Sequence, residues 1–295
     1  MPDSAIRRPV PLHVVIVTLD NHLSGAGVVS VPPLLFALLM WFIGTAAVVW
    51  LDSRPAATFR TSLTLAGLVA IAAVALVGSI ADQASAGAAY TGFAAAILIW
   101  GWHEMSFLMG AVAGPRRTEC PPDATGWPRF RAATATVIHH ELAIAATAIL
   151  LFAVSWGGPN QAAPLTFLLL FVLRLSAKFN LYLGVPNLSD EVFPAHLAYL
   201  KSYFRKRRLN ALFPVSILAS GAIAAWAWTV AEAAPAGSGA AAAGTLFAGL
   251  AVLGLVEHLF LLLPMRDARL WRWAASSTRA AQAAITDGRG RSHGL

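Results

Sequence analysis

The stretch Val137-Ile138-His139-His140-Glu141-Leu142-Ala143-Ile144-Ala145-Ala146-Thr147-Ala148-Ile149-Leu150-Leu151-Phe152-Ala153-Val154 is apolar on all sides of a helix except for two histidines and a glutamate near its start. Apolarity all round over such a length belongs to a helix in a bilayer, because a helix on a water-soluble core keeps one polar face. Two more runs repeat the combination, Trp102-His103-Glu104 and Val256-Glu257-His258, each inside an apolar segment. Ionisable groups in a membrane cost free energy, so specific partners must hold them there. The pattern predicts a buried polar site within a polytopic membrane protein.

Working outward, the composition agrees: 58% of the 295 residues are hydrophobic, 12% are charged, and mean hydropathy is +0.66. A soluble domain carries about 25% charged residues. A crossing helix needs about 20 apolar residues. Seven segments qualify, over 31–51, 61–81, 88–113, 131–155, 162–183, 209–232 and 243–264. The reading is all-α, because no segment alternates as a membrane barrel strand would. A seven-helix membrane domain over 31–264 follows, with an N-terminal extension over 1–30 and a basic tail over 265–295.

Lysines and arginines give the orientation, because positively charged loops stay in the cytoplasm. Seventeen of the 21 fall after the first, third, fifth and seventh spans; only Arg7 and Arg8 fall on the other side, and Arg174 and Lys178 lie inside the fifth span. The amino terminus is expected outside and the carboxyl terminus in the cytoplasm. The net charge of +7 is this asymmetry spread over four juxtamembrane segments. It makes anionic lipid the default partner and argues against nucleic acid. Cys120 stands alone, so neither a disulfide nor a cysteine-rich metal site can form. The apolar stretch over 12–19 lacks a following small-residue cleavage site, which argues against a signal peptide.

The loop after the fifth span offers helix-starting chemistry in Ser189-Asp190-Glu191. Leu197, Leu200, Tyr203 and Phe204 then recur at helical spacing beside Lys201, Arg205, Lys206, Arg207 and Arg208. This predicts an amphipathic helix lying on the inner membrane face. The segment 234–244 reads as a flexible outside loop, Gly114-Pro115-Arg116-Arg117 as a stiff turn, and Gly126-Trp127-Pro128 as an interfacial return.

Counting residues from the span ends at 1.5 Å each places Glu104, Glu141, Arg174, Lys178, Glu257 and His258 in one layer, between the midplane and the inner interface. Arg174 and Lys178 are four apart and share a helix face. Three carboxylates against two cations leave one negative charge for a protonated histidine or a metal ion to balance. One reading is an ion-pair network that locks helices together. Another makes His103, His139, His140 and His258 axial ligands of a haem or chlorophyll-type ring. A third makes Glu104, Glu141 and Glu257, with the histidines, a di-iron site. Against iron, the Glu-x-x-His pairing fails, because Phe107, Ile144 and Phe260 stand where the histidines belong. A zinc-peptidase motif fails at Phe107 and Ile144 for the same reason. A transporter would need a polar path to the outside, and the outer halves of the spans offer few charged residues. No phosphate-cradling loop or nucleophile elbow occurs.

The runs Trp100-Gly101-Trp102-His103-Glu104-Met105-Ser106-Phe107-Leu108, Gly114-Pro115-Arg116-Arg117, Thr134-Ala135-Thr136-Val137-Ile138-His139-His140-Glu141-Leu142, Arg174-Leu175-Ser176-Ala177-Lys178, Leu183-Gly184-Val185-Pro186-Asn187-Leu188 and Tyr199-Leu200-Lys201-Ser202-Tyr203-Phe204 resemble the PuhE family. That family comprises photosynthetic-complex assembly proteins of anoxygenic phototrophic bacteria. The resemblance runs from about the first span to the start of the sixth. It implies a role in building the reaction centre and its light-harvesting partner, or in modulating bacteriochlorophyll supply to them, in the cytoplasmic or intracytoplasmic membrane. It transfers a process and no reaction. It also favours the pigment reading, with His103, His139, His140 and His258 as candidate ligands of a magnesium tetrapyrrole. A membrane-embedded metal-dependent redox enzyme acting on a tetrapyrrole, quinone or lipid is the alternative from another class.

Overall fold

The computed structural model describes residues 31–188 and 194–263. The extension over 1–30, the helix start at Ser189-Asp190-Glu191 and the basic tail lie outside the described residues. Among the described residues, seven long helices follow one another: α1 Val31–Asp52, α2 Phe59–Ser79, α3 Ala86–Leu108, α4 Gly126–Val154, α5 Ala162–Leu183, α6 Leu212–Ala233 and α7 Gly239–Phe260. Two 3-10 segments, Ala56–Thr58 and Ala195–Tyr203, complete the order. No strand forms among these residues; the two β-bridges, Ser85 with Ser238 and Val185 with Lys206, are isolated.

Six of these helices are long and apolar enough to cross a membrane. The remaining one, α3, has comparable length but carries Trp100, Trp102, His103 and Glu104 in its second half. Its position accounts for that composition. It packs against α1, α2, α4, α5 and α7, so most of its surface meets protein and need not suit lipid.

The helix starts follow from the sequence. Pro32 and Pro33 in α1, Pro128 in α4, Pro164 in α5 and Pro214 in α6 all lie in a first turn, where the amide that proline lacks would have no partner within the helix. Helices α3 and α7 are capped instead by Ser85 and Ser238, whose hydroxyls accept from the amides of Ala88 and Ala241. The run Gly126-Trp127-Pro128, expected as an interfacial return ahead of the span, is already the first turn of α4, because a first-turn proline is compatible with a helix. At its other end α3 stops at Leu108, earlier than expected. Gly110 takes φ 75° there, and the amides of Ala111 and Val112 both donate to the carbonyl of Ser106.

Two apolar clusters fill the bundle. One joins α2, α3, α4 and α5 around Ile99, Ile144, Leu151 and Phe167; the other joins α1, α3, α5, α6 and α7 around Phe93, Leu173, Leu246 and Leu250. Small residues allow the close approaches. A Cβ on Gly254 of α7 would come within 2.3 Å of Leu173 on α5. At one end, Asn160 ties the turns together by donating to the carbonyls of Ile80 and Ala88.

The other end carries the arginine-rich loops and a compact cap. Leu197 and Leu200 of the 3-10 segment are buried against Phe107 and Ala113, and Tyr203 is buried beside them. The tyrosine hydroxyl accepts from Arg116 Nε at 2.7 Å and donates to the carbonyl of Thr118. Buried Arg129 donates to the carbonyl of Tyr203 and lies 4.3 Å over the ring of Tyr182. The predicted membrane-surface helix is therefore corrected here. Its apolar side chains are spent on the protein, and the segment is a 3-10 helix closing the bundle.

Candidate functional site: an intramembrane polar layer

Neighbouring residues on a helix point about 100° apart. The run Trp102-His103-Glu104 of α3 therefore serves three different helices. Trp102 donates its indole N–H to the carbonyl of Leu63 on α2, beside Gly67; His103 Nε2 shares a 3.0 Å hydrogen bond with Thr147 Oγ1 on α4; and Glu104 accepts from Arg174 on α5 at 3.1 Å. On α4, Glu141 pairs directly with Lys178 of α5. The i, i+4 cations of α5 thus bind two carboxylates from two helices, and α5 is tied to both neighbours. With this pairing the four charges cancel.

His140 lies between these pairs and is fully buried. Its ring packs 4.7 Å from that of Phe107 and 6.4 Å from that of His103, and the charges of Lys178 and Arg174 face it. Neither of its ring nitrogens has a hydrogen-bond partner among the described residues. The same holds for His103 Nδ1, Glu104 Oε1, Glu141 Oε2 and Arg174 Nε. Six such atoms within one layer of an apolar interior require water or a polar ligand to satisfy them.

The backbone around His140 is equally specific. Its amide donates to the carbonyl of Ala113, and the amide of Arg116 donates to the carbonyl of Ala135, so the loop after α3 is bonded to the backbone of α4. Gly114 makes this approach possible. A Cβ there would lie 2.2 Å from the Ala135 oxygen and 2.6 Å from the Thr136 carbonyl carbon.

His258 belongs to a second polar chain, between α5, α6 and α7. Its Nδ1 donates to the carbonyl of Gly254 at 2.8 Å, and its Nε2 lies 3.0 Å from Ser176 Oγ. Ser176 contacts Ser216 Oγ at 2.8 Å, Asn180 donates to Ser216, and Asn210 donates to Asn180 while accepting from the first amides of α6. A neutral histidine that donates from Nδ1 accepts at Nε2. Ser216 thus accepts from both Asn180 and Ser176 while donating to the carbonyl of Leu212. Sequence reading missed Ser176, Asn180, Asn210, Ser216 and Thr147. The signal for Asn210 was an asparagine directly before an apolar run, the ordinary mark of a helix cap.

The other expected site residues face outward. His139 is exposed on the side of α4 that also shows Leu142 and Ile149. Glu257 is exposed on α7, within electrostatic reach of Arg174. No three His, Cys, Asp or Glu side chains among the described residues are placed to hold a metal ion. His103, His140 and His258 are each at most 2% exposed.

The family model described as "Protein of unknown function (DUF3623)" matches residues 28–282. A relative from Rhodobacter capsulatus, named as an uncharacterized 30.4 kDa protein in the puhA 5' region, is 37% identical over 254 residues, covering 82% of this chain and 90% of the relative. No solved structure matches. The chain belongs to the DUF3623 family of proteins of unknown function.

Proposed function

We propose that this protein is an assembly factor of the cytoplasmic or intracytoplasmic membrane that helps to build the photosynthetic reaction centre and its light-harvesting partner, or modulates bacteriochlorophyll supply to them. The reading is carried by the string of motifs that resembles the PuhE family, and the puhA 5' region in the relative's name supports it. All seven helices cross, with the amino terminus outside and the carboxyl terminus in the cytoplasm. The partners are membrane lipid and photosynthetic subunits.

In this reading the polar layer is first a lock. The pairs Glu104–Arg174 and Glu141–Lys178 fix α5 against α3 and α4, which supports a rigid scaffold. A second reading, a membrane-embedded redox enzyme, draws on the unsatisfied nitrogens of His140. A di-iron centre draws no support from the arrangement of Glu104, Glu141 and Glu257, because no three ligand side chains among the described residues converge.

Deleting the gene in a phototrophic host tests the proposal. The expected result is loss of assembled reaction-centre and light-harvesting absorption, with pigment synthesis continuing. Normal complex levels would overturn it.

A further inference from the structure

An open groove of about 470 Å³ lies at the foot of α4, lined by Pro115, Arg116, Pro128, Arg131, Ala132 and Ala135. None of these residues is acidic, and the two arginines are held differently. Arg116 is fixed in place: its amide donates to the carbonyl of Ala135, its Nε to the Tyr203 hydroxyl at 2.7 Å and its Nη2 to the carbonyl of Glu119 at 2.9 Å. Its Nη1 is left for a further acceptor. Arg131 is exposed and makes no hydrogen bond or ion pair among the described residues. A guanidinium already fixed loses little freedom on taking up an anion, and a second one able to swing onto the same anion adds charge. The first turns of α4 stand at this level and contribute the positive end of the helix dipole. Residues three and four apart share a helix face. From the groove such a row runs up α4 through His139, Leu142, Ala146 and Ile149, all exposed. Apart from His139 the row is apolar. From Ala132 to Leu142 the helix rises about 15 Å, half of a hydrocarbon core of about 30 Å.

We propose that this groove and the row above it bind one anionic phospholipid, with its phosphate between Arg116 and Arg131 and an acyl chain along Ala132, Ala135, Leu142 and Ala146. The phosphate diester offers oxygens to both guanidinium groups in charge-assisted hydrogen bonds. A soluble anion would use the arginines alone, and a lipid without net charge would use the row alone. The groove joins the two features, and that junction selects an amphiphile with a negative head. The alanines leave room beside the helix for a chain. The site lies on the outside of the bundle and leaves the lock of Glu104, Glu141, Arg174 and Lys178 undisturbed. It requires that α4 cross the membrane, which its length and apolarity support, and it does not depend on the assembly reading.

The test reconstitutes the full chain in phosphatidylcholine vesicles doped with phosphatidylglycerol that carries a photoactivatable diazirine in one acyl chain. Labelled residues are then mapped by peptide mass spectrometry. Labelling is expected to concentrate on α4 between Ala132 and Ala146. Arg131→Gln should lower it about ten- to a hundredfold at sub-saturating lipid, the worth of a hydrogen bond to a charged group. Arg131 has no partner among the described residues to lose, so thermal unfolding in detergent should stay at wild type. Ala132→Trp fills the groove while keeping both arginines, and should abolish the labelling. Lys206→Gln, which removes another exposed charge, should leave it unchanged. Labelling spread evenly over the lipid-facing helices, or wild-type labelling of α4 in Arg131→Gln or Ala132→Trp, would overturn the site. So would an equal loss with Lys206→Gln, which would mean diffuse surface charge. Equally strong labelling of α4 by diazirine phosphatidylcholine would reduce the row to ordinary lipid contact. Displacement of the labelled lipid by inorganic phosphate would make the arginines a soluble-anion site and remove the lipid from the account.

Discussion

Lys178 and Glu141 are each largely enclosed, so removing one partner strands the other in an apolar layer. Breaking a buried pair in this way costs about 3–5 kcal/mol, whereas replacing both members by apolar groups is often neutral. Lys178→Met should therefore lower the melting temperature in detergent sharply, and Lys178→Met with Glu141→Leu should recover most of the loss. A double variant no better than the single one would remove the lock from the account. Gly114 makes a different demand at the same scale. Gly114→Ala sets a methyl group against the backbone of Ala135 and Thr136, where no side-chain rotamer can relieve it. The loop must retreat and lose its bonds from Arg116 to Ala135 and from His140 to Ala113. The cost should be about 1–3 kcal/mol, read as a lower unfolding midpoint. Wild-type stability would mean that the loop has slack the close contact does not suggest.

Elements were legible where a local signal sufficed. Apolar length located the helices, and like charges on one face of α5 announced that carboxylates must meet them. Which histidine faces the interior was not legible, because adjacent His139 and His140 differ only by a rotation that packing decides. The same holds for the segment after α5. Its spacing of Leu197, Leu200 and Tyr203 reads equally well as a lipid-facing stripe and as a face buried under Phe107, and the structure takes the second. Tyr203→Phe isolates the contribution of this cap. Losing the acceptor for Arg116 and the donor to Thr118 should cost about 1–3 kcal/mol, measured by thermal unfolding. The neighbouring basic run behaves oppositely. The segment is held by backbone bonds, from Val185 to Arg205, from Arg205 to Leu181 and from Arg207 to Val185, which do not depend on side-chain charge. Replacing Arg205, Lys206, Arg207 and Arg208 with glutamine should leave the melting temperature without lipid near wild type. It should reduce the stabilisation conferred by anionic lipid, at about 1 kcal/mol per charge near the surface. Unfolding of the variant without lipid would show that these side chains build the fold.

For the whole molecule, the decisive quantity is which end faces the cytoplasm. The structure gathers the turns around residues 80–85, 155–161 and 234–238 at one end, through Asn160 and the Ser85–Ser238 bridge. The opposite end collects the loop after α3, the 3-10 cap and the end of α7, where Asn187 donates to the carbonyl of Phe260. The lysines and arginines of the described loops concentrate at this second end, which is why the proposed orientation assigns it to the cytoplasm. Helix α3 is the element on which the map turns, since it is the long helix too polar for the apolarity criterion that the other six meet. If α3 crosses, a phosphatase inserted after Gln83 is active and one inserted after Asp123 is silent, while a reporter that works only in the cytoplasm gives the reverse pattern. Equal phosphatase activity at both positions would take α3 out of the membrane and break the alternation on which the orientation depends. Activity at Asp123 with silence at Gln83 would keep seven crossings and invert them, leaving the arginine-rich end outside against the energetics of positive charge.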